Sequence, residues 1–109
     1  MINNMDFIDE IRQAAEKKII YTLHALDEMN KEDELITTDE VRDVIFNGEI
    51  IEDYPEDKRG HSCLMFETPY GKRPVHVVCA AKEEYLAIIT AYIPSVDKWE
   101  KDFKTRRKR

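Results

Sequence analysis

The chain has 109 residues, 42% of them hydrophobic and 37% charged; a chain this long hides roughly two-thirds of its unfolded surface, so one core is expected and a disordered polymer is excluded. A formal net charge of −6 argues against strong nonspecific nucleic-acid binding. The longest apolar run, Leu86 to Ile93, is too short to cross a bilayer, and the opening residues carry Asp6, Asp9 and Glu10 in place of a signal-peptide pattern, so a cytoplasmic protein is expected.

Periodicity predicts helices first. Phe7, Ile8, Ile11, Ala14 and Ala15 recur at helical spacing between about Met5 and Lys18. A second, shorter helix begins after Thr22, with Leu23, Leu26 and Met29 on one side, and ends in the acidic stretch Lys31 to Glu34. Thr37 with Glu40 three residues later is a capping-box pattern; Val41, Val44 and Ile45 supply an apolar stripe, and Gly48 stops this third helix.

After Gly48 the period becomes extended. Strands are predicted over Glu49 to Tyr54, Ser62 to Glu67, Arg73 to Ala81 and Tyr85 to Ile93, with Pro55 to Gly60 as a polar loop. The turns Pro69-Tyr70-Gly71 and Lys82-Glu83 make the connections short, which implies an antiparallel meander. Pro94 ends the last strand, Ser95 can cap, and Val96, Trp99 and Phe103 fall on one face of a short closing helix. The expected fold is therefore α+β: N-terminal helices packed on a four-stranded antiparallel meander, closed by a C-terminal helix. Residues 1–104 form one domain, and 105–109 are a basic tail. From 101 on, six cations (Lys101, Lys104, Arg106 to Arg109) face Asp102 alone, a charge of +5 on a body of −11. Such a hook suits phosphate contact or a solvated end.

Side chains alternate along a strand, so hairpin lengths predict which residues share a face. A three-residue loop Tyr70 to Lys72 sets Cys63 opposite Cys79 and Phe66 opposite His76; a loop Lys82 to Glu84 sets His76 opposite Thr90. One face then holds Cys63, Met65, Val75, Val77, Cys79, Ala87, Ile89, Ala91 and Ile93 and packs on the helices. The other holds Ser62, Leu64, Phe66, His76, Val78, Ile88, Thr90 and Tyr92, a half-polar surface suited to a site. Cys63 and Cys79 lack the spacing of a zinc pair and are too few for a disulfide scaffold; they read as buried thiols, with metal binding alongside a histidine as the alternative.

The residues carry a resemblance to the domain of unknown function family 4258, whose members resemble small toxins of the RelE and barnase-like ribonuclease superfamily. The matching stretches are Tyr21-Thr22-Leu23-His24-Ala25 with Met29, Ile36-Thr37 with Glu40-Val41, Gly48 to Pro55, Arg73 to Val78 and Ile89 to Pro94, ending near Trp99 and Phe103. Where relatives often show a basic residue between the histidine and the methionine, this chain has Asp27 and Glu28. The resemblance implies a metal-independent endoribonuclease, the toxin half of a bacterial toxin–antitoxin pair, with RNA as substrate and an antitoxin protein as partner. No cofactor or metal is expected, and the alternative is a non-catalytic protein-binding module.

Metal-free RNA cleavage needs a base for the ribose 2′-hydroxyl, an acid for the leaving 5′-oxygen and donors for the phosphate. His76, beside Thr90 and Tyr92 on the half-polar face, is the first candidate; its other reading is a buried histidine bonded to one of those neighbours. His24, near a helix start, would serve as a base, or stand exposed beside the cap. Lys72 and Arg73 flank the turn next to His76, and Lys58, Arg59 and Ser62 lie along the long loop and the strand after it. All five are candidate phosphate contacts, or solvated turn residues. His61 reads as a solvated loop residue. Ser62 has no histidine and aspartate arrangement around it, so a serine hydrolase is not expected.

Overall fold

The structure, a computed structural model, describes residues 6–108. Helix α1 (Phe7–Lys17) buries Ile11, Ala14 and Ala15, the stripe its spacing predicts; Met5, taken into that helix on periodicity, lies outside the described residues. Its Arg12 donates to the carbonyls of Ile45 and Gly48, each at 2.9 Å, so a cation from one helix satisfies the carbonyl end of another. Strand β1 (Ile19–Tyr21) follows. Helix α2 (Leu23–Met29) begins at Thr22, whose hydroxyl accepts from the Ala25 amide at 3.0 Å and donates to the Ile89 carbonyl at 2.9 Å. Ala25 and Met29 are the buried residues of α2, whereas Leu23 is 82% exposed; of the expected side of Leu23, Leu26 and Met29, Met29 alone is buried, and Ala25 takes the place of the two leucines. Helix α3 (Thr38–Asn47) starts with both halves of the capping box between Thr37 and Glu40 and buries Val41, Val44 and Ile45.

Strands β2 (Glu49–Tyr54), β3 (Ser62–Glu67), β4 (Val75–Ala81) and β5 (Leu86–Tyr92) form the expected antiparallel meander. The sheet has five strands, in the order β1-β5-β4-β3-β2, and β1 runs parallel to β5. The expectation of a purely antiparallel four-stranded sheet is therefore corrected. Three residues between two helices are too few to show an alternating pattern, and β1 is recruited by pairing Ile19, Ile20 and Tyr21 with Leu86, Ala87 and Ile88.

The first hairpin has the expected register, with Cys63 opposite Cys79 and Phe66 opposite His76. The second does not. His76 faces Tyr92, Val78 faces Thr90, and Cys79 faces Ile88, so a β-bulge leaves Ile89 as an extra residue. Beyond the bulge the faces exchange: Leu86 and Ile88 join Cys63, Met65, Val75, Val77, Cys79 and Ala91 in the core under the helices, while Ala87, opposite Ala80, lies on the outer face.

The C-terminal helix predicted on Val96, Trp99 and Phe103 is absent. Turns occupy this stretch, Trp99 pairs with Arg106 in an isolated antiparallel bridge, and Phe103 adopts φ 57°. Asp102 accounts for the difference: its carboxylate accepts from the Lys104 and Thr105 amides at 2.9 and 3.1 Å, a local bond that competes with helix. No helix among the described residues is long and apolar enough to cross a membrane.

Candidate functional site

The pairings arrange the outer face in rows. Glu49, Phe66, His76 and Tyr92 form one; Glu52, Leu64, Val78 and Thr90 the next; Tyr54, Ser62, Ala80 and Ala87 the third. Two different environments result.

His76 is fully buried because residues from Ser95 to Arg107 cross above it. Its Nε2 stands 2.7 Å from the Phe103 carbonyl oxygen, which can only accept, so Nε2 carries the hydrogen and Nδ1 accepts from the Tyr92 hydroxyl at 3.2 Å. Trp99 meets the imidazole edge-on, with centroids 4.5 Å apart, and Phe66 does so at 5.8 Å. Burial lowers the pKa of His76, with the Phe103 carbonyl pulling the other way. Beside it the Arg106 guanidinium forks onto Glu52 at 2.7 and 3.0 Å and lies 4.7 Å above the Trp99 ring. That fork holds the Glu52 carboxyl below its usual range, while burial and the hydrogen bond to Glu52 push the Tyr54 hydroxyl up to about 12. Both imidazole nitrogens are thus committed, and no substrate atom can reach them while the crossing segment, a strap over the sheet, is in place.

His24 is exposed and stands in the open. With Thr22, Arg59, Ala80, Lys82, Tyr85, Ala87 and Ile89 it lines a cleft of about 390 Å³ on the same outer face. The sheet row of small residues supplies the floor: Ala80 and Ala87 leave the space that larger side chains would fill. Lys82 donates to the Arg59 carbonyl. The Arg59 guanidinium is paired with Asp57 at 2.9 Å, whose carboxyl Arg59 and Ser62 hold well below the ordinary range.

The remaining predicted residues serve elsewhere. Ser62 is buried and its hydroxyl donates to Asp57 at 2.7 Å, closing the loop that carries Arg59; Lys58 is exposed on that loop. Arg73 donates to Glu40 and to the Leu35 carbonyl and, with Lys72, lines a separate cleft of about 430 Å³ at the start of α3. Burial works to raise the Glu40 carboxyl, but the bonds from Arg73 and Thr37 outweigh it and lower it. Thr90 is half-buried, opposite Val78 and not beside His76. His61, expected to be solvated, stacks on Phe7 at 3.6 Å and reaches Asp53 at 2.5 Å. Cys63 and Cys79 are buried free thiols with their sulfurs 4.0 Å apart.

Sequence reasoning missed Glu52, Tyr54, Trp99 and Arg106 around His76, and Thr22, Lys82 and Tyr85 around His24. Ala80 and Ala87 face each other only in the observed register of the second hairpin, so the hollow they floor carried no signal in the expected one.

The fold and the two histidine environments define a small α+β domain with a mixed sheet whose outer face carries its polar chemistry. Residues 21–93 match the profile of the domain of unknown function DUF4258, and the chain belongs to that family. No curated protein and no solved structure matches it.

Proposed function

We propose that the chain is a metal-independent endoribonuclease and that its working cleft is the one at His24. The observation that carries this reading is the convergence of an exposed imidazole, two cations and a tyrosine on one open, small-floored cleft of the sheet. The likeness to RelE and barnase-like ribonucleases seen in the sequence contributes the chemistry. His24 takes the ribose 2′-hydroxyl proton as the 2′-oxygen attacks phosphorus; Arg59 and Lys82 hold the phosphate oxygens; the Tyr85 hydroxyl protonates the departing 5′-oxygen, leaving a 2′,3′-cyclic phosphate. On this reading the protein acts in the cytoplasm, as the toxin half of a bacterial pair restrained by an antitoxin protein.

A second reading, a non-catalytic protein-binding module, is favoured by one observation: Arg59, Arg73 and Arg106 are each already paired with a carboxylate. One assay separates the two. Purified protein is incubated with a mixed RNA pool in chelator, comparing wild type, His24→Ala, Arg59→Ala and His76→Phe. The ribonuclease reading expects cleavage that falls by about 100-fold or more in His24→Ala, falls in Arg59→Ala and survives in His76→Phe. Absence of cleavage by wild type at high protein concentration sinks it, and cleavage lost only with His76 moves the site under the strap.

A further inference from the structure

The segment Ser95–Arg107 is built differently from the rest of the molecule. Its backbone hydrogen bonds close on themselves: Trp99 to Ser95, Phe103 to Glu100, Glu100 to Thr105 and Arg107 to Lys98. The segment can therefore leave without breaking a sheet ladder. Among the described residues from Ser95 on, Trp99 alone is buried, and segments with few buried apolar contacts open at low free energy. Its outer margin is undercut by a cleft of about 410 Å³ whose lining includes Tyr92, Ile93, Ser95, Lys98, Trp99 and Arg106.

What holds the segment down is specific. Lys104 and Arg106, two residues apart in a bent stretch of chain, seat on Glu49 at 3.0 Å and on Glu52 at 2.7 Å. The Lys104 ammonium stands 5.8 Å above the Phe66 ring. Just before Lys104, Phe103 offers its carbonyl to His76 from a left-handed backbone at φ 57°, a conformation that costs a bulky residue strain. Two carboxylates, an aromatic floor and one buried donor form a receptor for a basic segment, and the chain's own tail fills it.

We propose that Ser95–Arg107 is a detachable strap, an internal ligand seated on Glu49, Glu52, Phe66, His76 and Tyr92, and that this site takes a basic segment of a partner protein, with cations two residues apart, once the strap is displaced. The inference stands apart from RNA cleavage at His24 and is tested without it.

Diethyl pyrocarbonate modification of the full chain, mapped by mass spectrometry, reads the strap through His76, with exposed His24 as the internal control. In wild type His24 reacts and His76 does not. In Lys104→Ala/Arg106→Ala the His76 rate is expected to rise at least ten-fold while circular dichroism shows the sheet intact. Glu52→Gln, which keeps the side-chain shape and an intact tail, is expected to raise it as well. A synthetic peptide of residues 98–109 added to the double variant should restore protection, and should fail to do so once Glu52→Gln is added. The proposal is overturned if His76 stays unreactive in both variants, if its reactivity appears only with global unfolding in urea, or if the peptide gives no protection at millimolar concentration. Protection in wild type that rises with protein concentration also overturns it, because the strap then comes from a second copy.

Discussion

Acid should weaken this fold through His76. In the unfolded chain an imidazole titrates near 6.5, and in the folded chain burial lowers that value against the opposing pull of the Phe103 carbonyl. Below about pH 6.5 the unfolded chain therefore binds a proton that the folded chain refuses. Stability contributed by neutral His76 is present above that pH, declines as pH falls through it, and stops declining once the folded pKa is reached. A single group with its folded pKa well below the window removes at most about 1.4 kcal/mol between pH 7.5 and 5.5. Urea denaturation of wild type and His76→Phe at those two pH values measures it. The variant starts roughly 1–3 kcal/mol lower, because the Phe103 carbonyl and Tyr92 hydroxyl lose their partner, and its pH dependence lacks the His76 contribution. Carboxyls lowered by their partners, such as Glu52 and Glu40, withdraw stability only as pH falls below their unfolded values, near 4.3, and so lie outside the window. The gap between the two proteins should narrow on acidification by up to about 1.4 kcal/mol. A gap that stays constant or widens refutes the assignment of His76 as a buried neutral imidazole.

Two substitutions test the backbone that frames the sheet. A Cβ on Gly48 would stand 2.5 Å from the Val44 carbonyl and 2.6 Å from that of Phe66, so Gly48→Ala should cost roughly 1–3 kcal/mol by overpacking; an unchanged melting temperature would show that α3 and β3 can part there. Tyr70 is 63% exposed and held at φ 56°, so Tyr70→Gly relieves about 1–2 kcal/mol of left-handed strain against roughly 0.5–1 kcal/mol of added chain entropy. A small rise in urea midpoint is expected, and a fall would mean that the tyrosine ring anchors the turn.

Local chemistry was legible in the sequence and long-range chemistry was not. Thr37, Glu40 and Gly48 specify the ends of α3 within a few residues of one another, and the structure has that helix between them. The loop Tyr70 to Lys72 gave the first hairpin register correctly because the observed connection between Glu67 and Val75 is centred on the same residue, Gly71. The second hairpin escaped because a bulge at Ile89 adds a residue with no turn signal to announce it. That one residue moved Thr90 away from His76, put Tyr92 in its place, and exchanged the faces of Leu86, Ala87 and Ile88.

The strap shows why residue type found both histidines and could not rank them. Val96, Trp99 and Phe103 have helical spacing, but the interactions that decide their fate join Trp99 to His76, Phe103 to His76 and Arg106 to Glu52. Such pairings, separated by tens of residues, leave no periodicity in the chain. Without them His76, amid Tyr92, Glu49 and Glu52, would have been the stronger acid–base candidate. With them its nitrogens are occupied, and His24 is left beside the open cleft. The basic tail thus bears on the proposed site without touching His24: it neutralises Glu49 and Glu52, covers His76, and leaves the Ala80–Ala87 hollow open beside His24, Arg59 and Lys82.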